Sequence, residues 1–219
     1  MTQPTRPFQG ESAASRISAR QKTLLDTAFA MASEVGWSAL SIHQLCLEAG
    51  LNKRYFYESF KNLDELAAAL VNDLAEQLIE TGQAAALSGL QQGLDTSALA
   101  RHALRATIGW LVDDPRRTKM LFSVASENPQ ALHHRQEVIR KLAQTLSVFS
   151  IEYHQADEPH AIAKVGSALL IGGTIEIVVS WLDGYLPLSL DELVEDVACF
   201  WVAVGDSAIE LTRKRQGME

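Results

Sequence analysis

SIHQLCLEAGLNKRYFYESFKNLDEL, residues 41–66, decides the fold. Ser41 is a good helix N-cap, and Gln44 three residues on completes a capping box, so a short helix opens there and closes before Gly50. Asn52 caps a second short helix reaching about Tyr57. Asn62 with Glu65 is a third capping signal, opening a long helix through Leu66, Leu70, Leu74 and Leu78 towards Gly82. Upstream, Leu24, Leu25, Ala28, Phe29, Ala32 and Val35 fall on one helical face, and Gly36 ends that helix in a left-handed conformation. Residues 18–61 therefore read as three helices with very short connections, preceded by a flexible arm over 1–17.

Two short helices joined by a tight turn at Gly50, braced by a longer helix, form a helix-turn-helix. Leu45, Cys46 and Ala49 face the bracing helix and Leu51 plugs the small core. Asn52, Lys53, Arg54 and Tyr55 are then left to meet base edges and phosphates of double-stranded DNA. Arginine and asparagine suit this role because they pair bidentately with guanine and adenine edges.

The same stretch resembles the signature of the TetR family of bacterial transcriptional regulators. The matching positions are Ser41, Leu45, Ala49-Gly50, Leu51, Tyr57 and Phe60 in a Tyr-x-x-Phe pair, and Asp64-Glu65-Leu66. The resemblance implies that Ser41 and Tyr57 touch DNA phosphates, that Phe60 stays in the core, and that residues 52–55 read the operator. Gln44 and His43 would reach the flanking backbone, and Arg16, Arg20 and Lys22 would add phosphate or minor-groove contacts. Two departures stand out. Arg54-Tyr55 replaces a small pair common in the family, so the operator cannot be borrowed from relatives. Leu63 stands where a lysine often opens the next helix, leaving Lys61 to supply that phosphate contact.

Composition agrees with a regulator of this size. The chain has 219 residues and 47% hydrophobic content, enough for a packed core and too short for a large multidomain enzyme. The formal charge of -8 counts against a protein coated in nucleic acid. It is unevenly spread: residues 1–61 hold seven Lys/Arg against five Asp/Glu, a balance of +2, which leaves -10 for the remainder. Cys46 and Cys199 are the two cysteines, both in apolar helical context, which suits buried thiols in a reducing cytoplasm. Cys46 reads as a structural thiol, since no second cysteine is near enough for a redox pair. The N-terminus lacks the apolar segment of a signal peptide. Val165 to Leu182, bounded by Lys164 and Asp183, falls short of the ~20 apolar residues of a membrane span. It reads as a buried or interface helix, with no membrane partner.

Downstream, breakers divide residues 62–219 into a helical bundle for ligand binding and dimerisation, and the chain as a whole is all-α. Asp114-Pro115, Asn128-Pro129 and Glu158-Pro159 mark helix starts, giving helices over about 97–112, 115–126, 129–154 and 159–182. Ser189 with Glu192 caps a last helix to about Arg213. The closing helix pair resembles the family's dimerisation bundle. Ala168 and Gly172 allow close helix approach, and Leu193, Val197, Phe200, Trp201 and Val204 make a broad apolar stripe for a homodimer. Trp110, Met120, Phe122, Phe149 and Trp181 lie on helices that line the effector cavity in the family. Glu176, an acid in an apolar helix, would favour a cationic effector if it faced that cavity. His133-His134, His154 and His160 fit no helical chelate and read as surface residues, so no metal or cofactor is expected.

A homodimeric repressor released by an unknown small-molecule effector is the default implied by the resemblance. An activator of the same fold and a helical protein-binding adaptor are the alternatives. No nucleophile-base pair or Gly-rich phosphate loop supports an enzyme.

Overall fold

The computed structural model describes residues 13–123, 129–153 and 161–216. Among these it contains nine α-helices and no strand: α1 Ala13–Val35, α2 Ile42–Glu48, α3 Lys53–Ser59, α4 Leu63–Gln91, α5 Thr96–Asp113, α6 Pro115–Thr118, α7 Pro129–Tyr153, α8 Ala161–Leu182 and α9 Leu190–Gln216. The chain divides into two compact units, residues 1–70 and 71–219.

The first unit is held by a small apolar centre. Leu24, Ala28, Leu45, Phe56 and Leu66 have no exposed surface, and Ala32, Cys46 and Phe60 are buried around them. Helix ends are closed as the sequence predicts. Ser41 Oγ accepts from Gln44 N at 3.2 Å, Asn52 Oδ1 from Tyr55 N at 3.1 Å, and Asn62 Oδ1 from Glu65 N at 2.8 Å. Such caps satisfy N–H groups that have no partner inside the helix, each worth about 1 kcal/mol. Gly50 adopts φ +64°, the left-handed turn that lets α3 double back after α2. Two expectations change here. Helix α1 starts at Ala13, so residues 13–17 are helical and not part of an arm, while 1–12 lie outside the described residues. Val35, expected on the apolar face, is 59% exposed because it is the last residue of α1.

In the second unit α5 packs on α9, α9 on α8 and α8 on α7. Arg101 pairs with Glu195 at 3.2 Å and Arg105 with Asp191, tying α5 to α9 at its exposed border. Trp201 Nε1 donates to Thr174 Oγ1 at 2.9 Å and ties α9 to α8. Helix α4 does not end near Gly82 but runs to Gln91. The glycines serve close approach: a Cβ on Gly89 would meet Leu99 Cδ1 at 2.6 Å, and one on Gly82 would meet Thr107 Cγ2 at 3.1 Å. Asp114 caps α6 and bonds the Arg116 guanidinium at 2.8 Å, which holds its carboxyl below the usual range. The helix expected over 115–126 is one α-turn followed by a π-turn, Lys119–Ser123, and 124–128 lie outside the described residues. The start expected at Glu158-Pro159 lies outside them too.

Helix α8 corrects the expectation about its length. It spans 22 residues, and an 18-residue window within it has a mean hydropathy of 1.8, so by length and composition it could cross a membrane, and only 17% of that window is buried within the chain. Val165 and Leu169 on α8 are each 62% exposed, and Phe200 on α9 is 64% exposed. Cys199, expected to be buried, is also exposed.

Candidate nucleic-acid interface

Helix α3 is only two turns long, and its two sides do different work. Phe56 is fully buried and anchors the helix, meeting Tyr57 edge-on at 5.4 Å and Phe60 at 6.0 Å between ring centroids. Asn52, Lys53, Arg54 and Tyr57 are exposed, so the residues expected to read DNA stand clear of the core. Tyr55 differs from that expectation. It is half-buried, with the Arg20 guanidinium 4.2 Å from its ring centroid, so α1 covers part of it.

The flanking positions are either engaged as a cap or exposed. The Ser41 hydroxyl, half-buried, donates to Gln44 Oε1 at 2.9 Å while accepting the Gln44 backbone N–H, so it is already engaged as a cap. Gln44, His43 and Lys61 are exposed, as are Arg16 and Lys22 on α1. Lys22 pairs with Asp26 at 3.5 Å, one turn on. Burial raises the pKa of the Cys46 thiol, partly offset by the charge of Lys53 nearby. A thiol held in its neutral form is a poor nucleophile, in keeping with a packing role.

Glu58 is a charged partner of this edge that the sequence motif does not point to. It accepts from Arg54 Nε at 3.0 Å and from Arg20 Nη2 at 3.5 Å. Half of this was legible, because Arg54 and Glu58 are four residues apart on one helix. The link to Arg20 depends on the crossing of α1 and α3, which no local pattern reports.

In the second unit the residues expected around an effector divide. Met120 and Phe122 are buried at 4% and 5% exposure in the π-turn. Trp110 is half-buried beneath Arg117, whose Cζ lies 4.4 Å from the ring centroid and whose Nη1 donates to Trp110 O at 2.6 Å. Trp181 Nε1 donates to Leu188 O at 2.7 Å, and Phe149 is half-buried. Glu176 is exposed, not enclosed. A cleft of 320 Å³ between α5 and α9 is lined by Ser97, Arg101, Glu195, Cys199, Val202, Ala203 and Asp206, and none of the expected pocket residues borders it.

The expected interface divides similarly. Ala168 and Phe200 are exposed, and Gly172, Trp201 and Val204 are half-buried. Leu193 and Val197, at 1% and 3% exposure, are instead consumed by the chain's own packing. The stripe on α9 is wide enough that one edge faces α5 and α8. Among the described residues no group of three or more His, Cys, Asp or Glu side chains could hold a metal. His133 is exposed beside Glu137 at 3.2 Å, and His154 and His160 lie outside the described residues.

A capped two-turn helix with a buried aromatic anchor and an exposed Asn-Lys-Arg edge, set after a glycine turn, defines a helix-turn-helix DNA-binding unit. Residues 24–70 match the family model for bacterial regulatory proteins, tetR family. No curated protein matches the sequence. The chain's fold is similar to that of a tetR-family transcriptional regulator from Streptomyces coelicolor, with TM-score 0.66 at 14% identity, covering 92% of this chain and 86% of that one. It is also similar to the fatty acid degradation regulator FadR of Bacillus halodurans, with TM-score 0.65 at 13% identity over 88% and 96% of the two chains. FadR of Bacillus subtilis, solved with stearoyl-CoA, gives TM-score 0.64 at 17% identity over 84% and 98%. The chain's architecture is similar to that of solved TetR-family transcriptional regulators.

Proposed function

We propose that the chain is a homodimeric repressor that binds a palindromic operator through two helix-turn-helix heads and is released by a small-molecule effector. The observation that carries this reading is α3, where Phe56 is sealed into the core and Asn52, Lys53, Arg54 and Tyr57 are left exposed. The chain acts by binding, without catalysis, in the bacterial cytoplasm. Two copies pair through the exposed α8 and α9 surface around Val165, Ala168, Leu169, Gly172 and Phe200. A second copy explains that surface better than a bilayer, because Lys164 and Glu176 interrupt α8 and both are exposed. Pairing places two heads about one helical turn of DNA apart, ~34 to 36 Å, to meet two half-sites. The acidic remainder of the chain is repelled by phosphate, so contact is confined to the heads.

The effector site lies among α5, α7 and the π-turn, near Trp110, Met120, Phe122 and Phe149, and these side chains favour an apolar ligand. The stearoyl-CoA bound to Bacillus subtilis FadR is a precedent for an apolar effector on this fold. With Glu176 exposed, a cationic effector has little support. Release requires that the effector prefer one spacing of the heads, since equal affinity for both shifts nothing.

The reading is tested on the head. Arg54→Ala loses discrimination at one base position per half-site, by about 1–3 kcal/mol. Tyr57→Phe weakens all duplexes alike. Fluorescence anisotropy with a set of single-base-pair operator variants separates the two effects, and unchanged binding in both variants contradicts the reading.

A further inference from the structure

Glu58 joins two cations that come from different helices. Its Oε1 accepts from Arg54 Nε at 3.0 Å and its Oε2 from Arg20 Nη2 at 3.5 Å. Arg20 is held on a second side by the Tyr55 ring at 4.2 Å, and its Nε is buried with no hydrogen-bond partner among the described residues. The Arg54 side chain is 83% exposed, so the carboxylate restrains it without covering it. The three side chains together carry a net charge of one, where the two arginines alone would carry two.

We propose that Glu58 is a positioning residue that weakens the head's hold on arbitrary DNA, keeping Arg20 and Arg54 occupied until a duplex offers better acceptors than its own carboxylate. This rests on the reading of residues 52–57 as the DNA-contacting edge. On an arbitrary sequence, Arg54 would exchange one exposed anion for another, a phosphate, with little gain. At the right base it exchanges the same ion pair for two hydrogen bonds to a guanine edge. The cost of leaving Glu58 is common to all sequences, while the return belongs to one. A common cost cancels from the ratio of affinities, so the carboxylate leaves base discrimination as it is. It lowers the absolute affinity of the head for every duplex, which leaves arbitrary DNA unoccupied at concentrations where the selected site still binds. The carboxylate also repels any phosphate that approaches without freeing an arginine.

The test uses the full chain, a duplex selected by the wild type from a random library, and a scrambled duplex of the same composition. In Glu58→Gln, binding to the scrambled duplex strengthens by roughly three- to fivefold, the size expected of an exposed ion pair. Binding to the selected duplex strengthens by a similar factor, because it too no longer breaks the ion pair, so the ratio of the two affinities changes little. One more net cation reaches phosphate, so the slope of log K against log salt steepens by about 0.9. In an Arg54→Ala background the Glu58→Gln effect shrinks, as a double-mutant cycle requires of coupled residues. A merely structural role would lower both affinities together, leave the slope unchanged, and overturn the proposal. A second readout needs no variant: the Arg54 Nε–H resonance of the wild type stays in place with scrambled duplex and moves with the selected one. Movement with both overturns the proposal. Wild-type chain that binds no duplex would overturn the DNA reading itself, whereas tight wild-type binding with an unaltered Glu58→Gln overturns the positioning role alone.

Discussion

Phe56→Ala unfolds the DNA-binding head and abolishes duplex binding. The side chain is fully buried, it is the only wholly buried residue of α3 among those described, and it contacts the rings of Tyr57 and Phe60. Truncating a buried phenylalanine costs about 3–5 kcal/mol, because the ring's transfer free energy is lost and the cavity cannot fully collapse. A unit of this size has little stability to spare, since small domains bury a smaller share of their surface than large ones. Hydrogen exchange followed by mass spectrometry on the full chain checks the result. Amides of α1 to α3 lose protection, while those of α8 and α9 keep theirs. Leu47→Ala, at a residue 74% exposed on the neighbouring helix, is the control and changes protection little. Retained protection in Phe56→Ala would show that α3 is not anchored by this ring.

Phe200→Asp combined with Leu169→Asp separates the two copies of the proposed homodimer. Both residues are more than 60% exposed in the single chain, at 64% and 62%, on the two helices that offer the apolar surface. Central apolar anchors of an interface cost about 2 kcal/mol or more each when truncated, and a charge buried there without a partner adds to the loss. The dimer constant therefore weakens by at least a hundredfold, and sedimentation velocity moves from dimer to monomer at micromolar concentration. Leu193→Ala makes an instructive contrast. That residue is 1% exposed inside the chain's own packing, so its truncation lowers the melting temperature and leaves the association of folded chains intact. A double-aspartate chain that still sediments as a dimer would place the contact elsewhere.

Local signals made most of the fold legible. Ser41, Asn52 and Asn62 announced three helix starts, and each side chain accepts the backbone bond expected of it. Ser189 and Glu192 close a reciprocal pair, with Ser189 N donating to Glu192 Oε2 at 2.8 Å and Glu192 N to Ser189 Oγ at 3.3 Å. These succeed because a cap is decided within four residues. Gly82 misled for the converse reason. A glycine can end a helix or admit a neighbour, and only the passage of α5 alongside α4 tells which.

The candidate site was legible to the same depth. Periodicity separated Phe56 from the exposed edge of α3, yet it could not show that Arg20 lies over Tyr55 or that Glu58 holds both arginines. On α9 it found one stripe where the molecule has two uses for it. Leu193 and Val197 complete the chain's own core, and Phe200 is left outside. A stripe wider than a single helix contact is ambiguous until its neighbours are known.

Selection of duplexes from a random library with the full-length chain, followed by the mass of the resulting complex, tests the central claim most directly. The account predicts enrichment of an inverted repeat whose half-sites are centred about one helical turn apart, bound by two chains. Enrichment of no sequence, or of a single asymmetric site held by one chain, would contradict it.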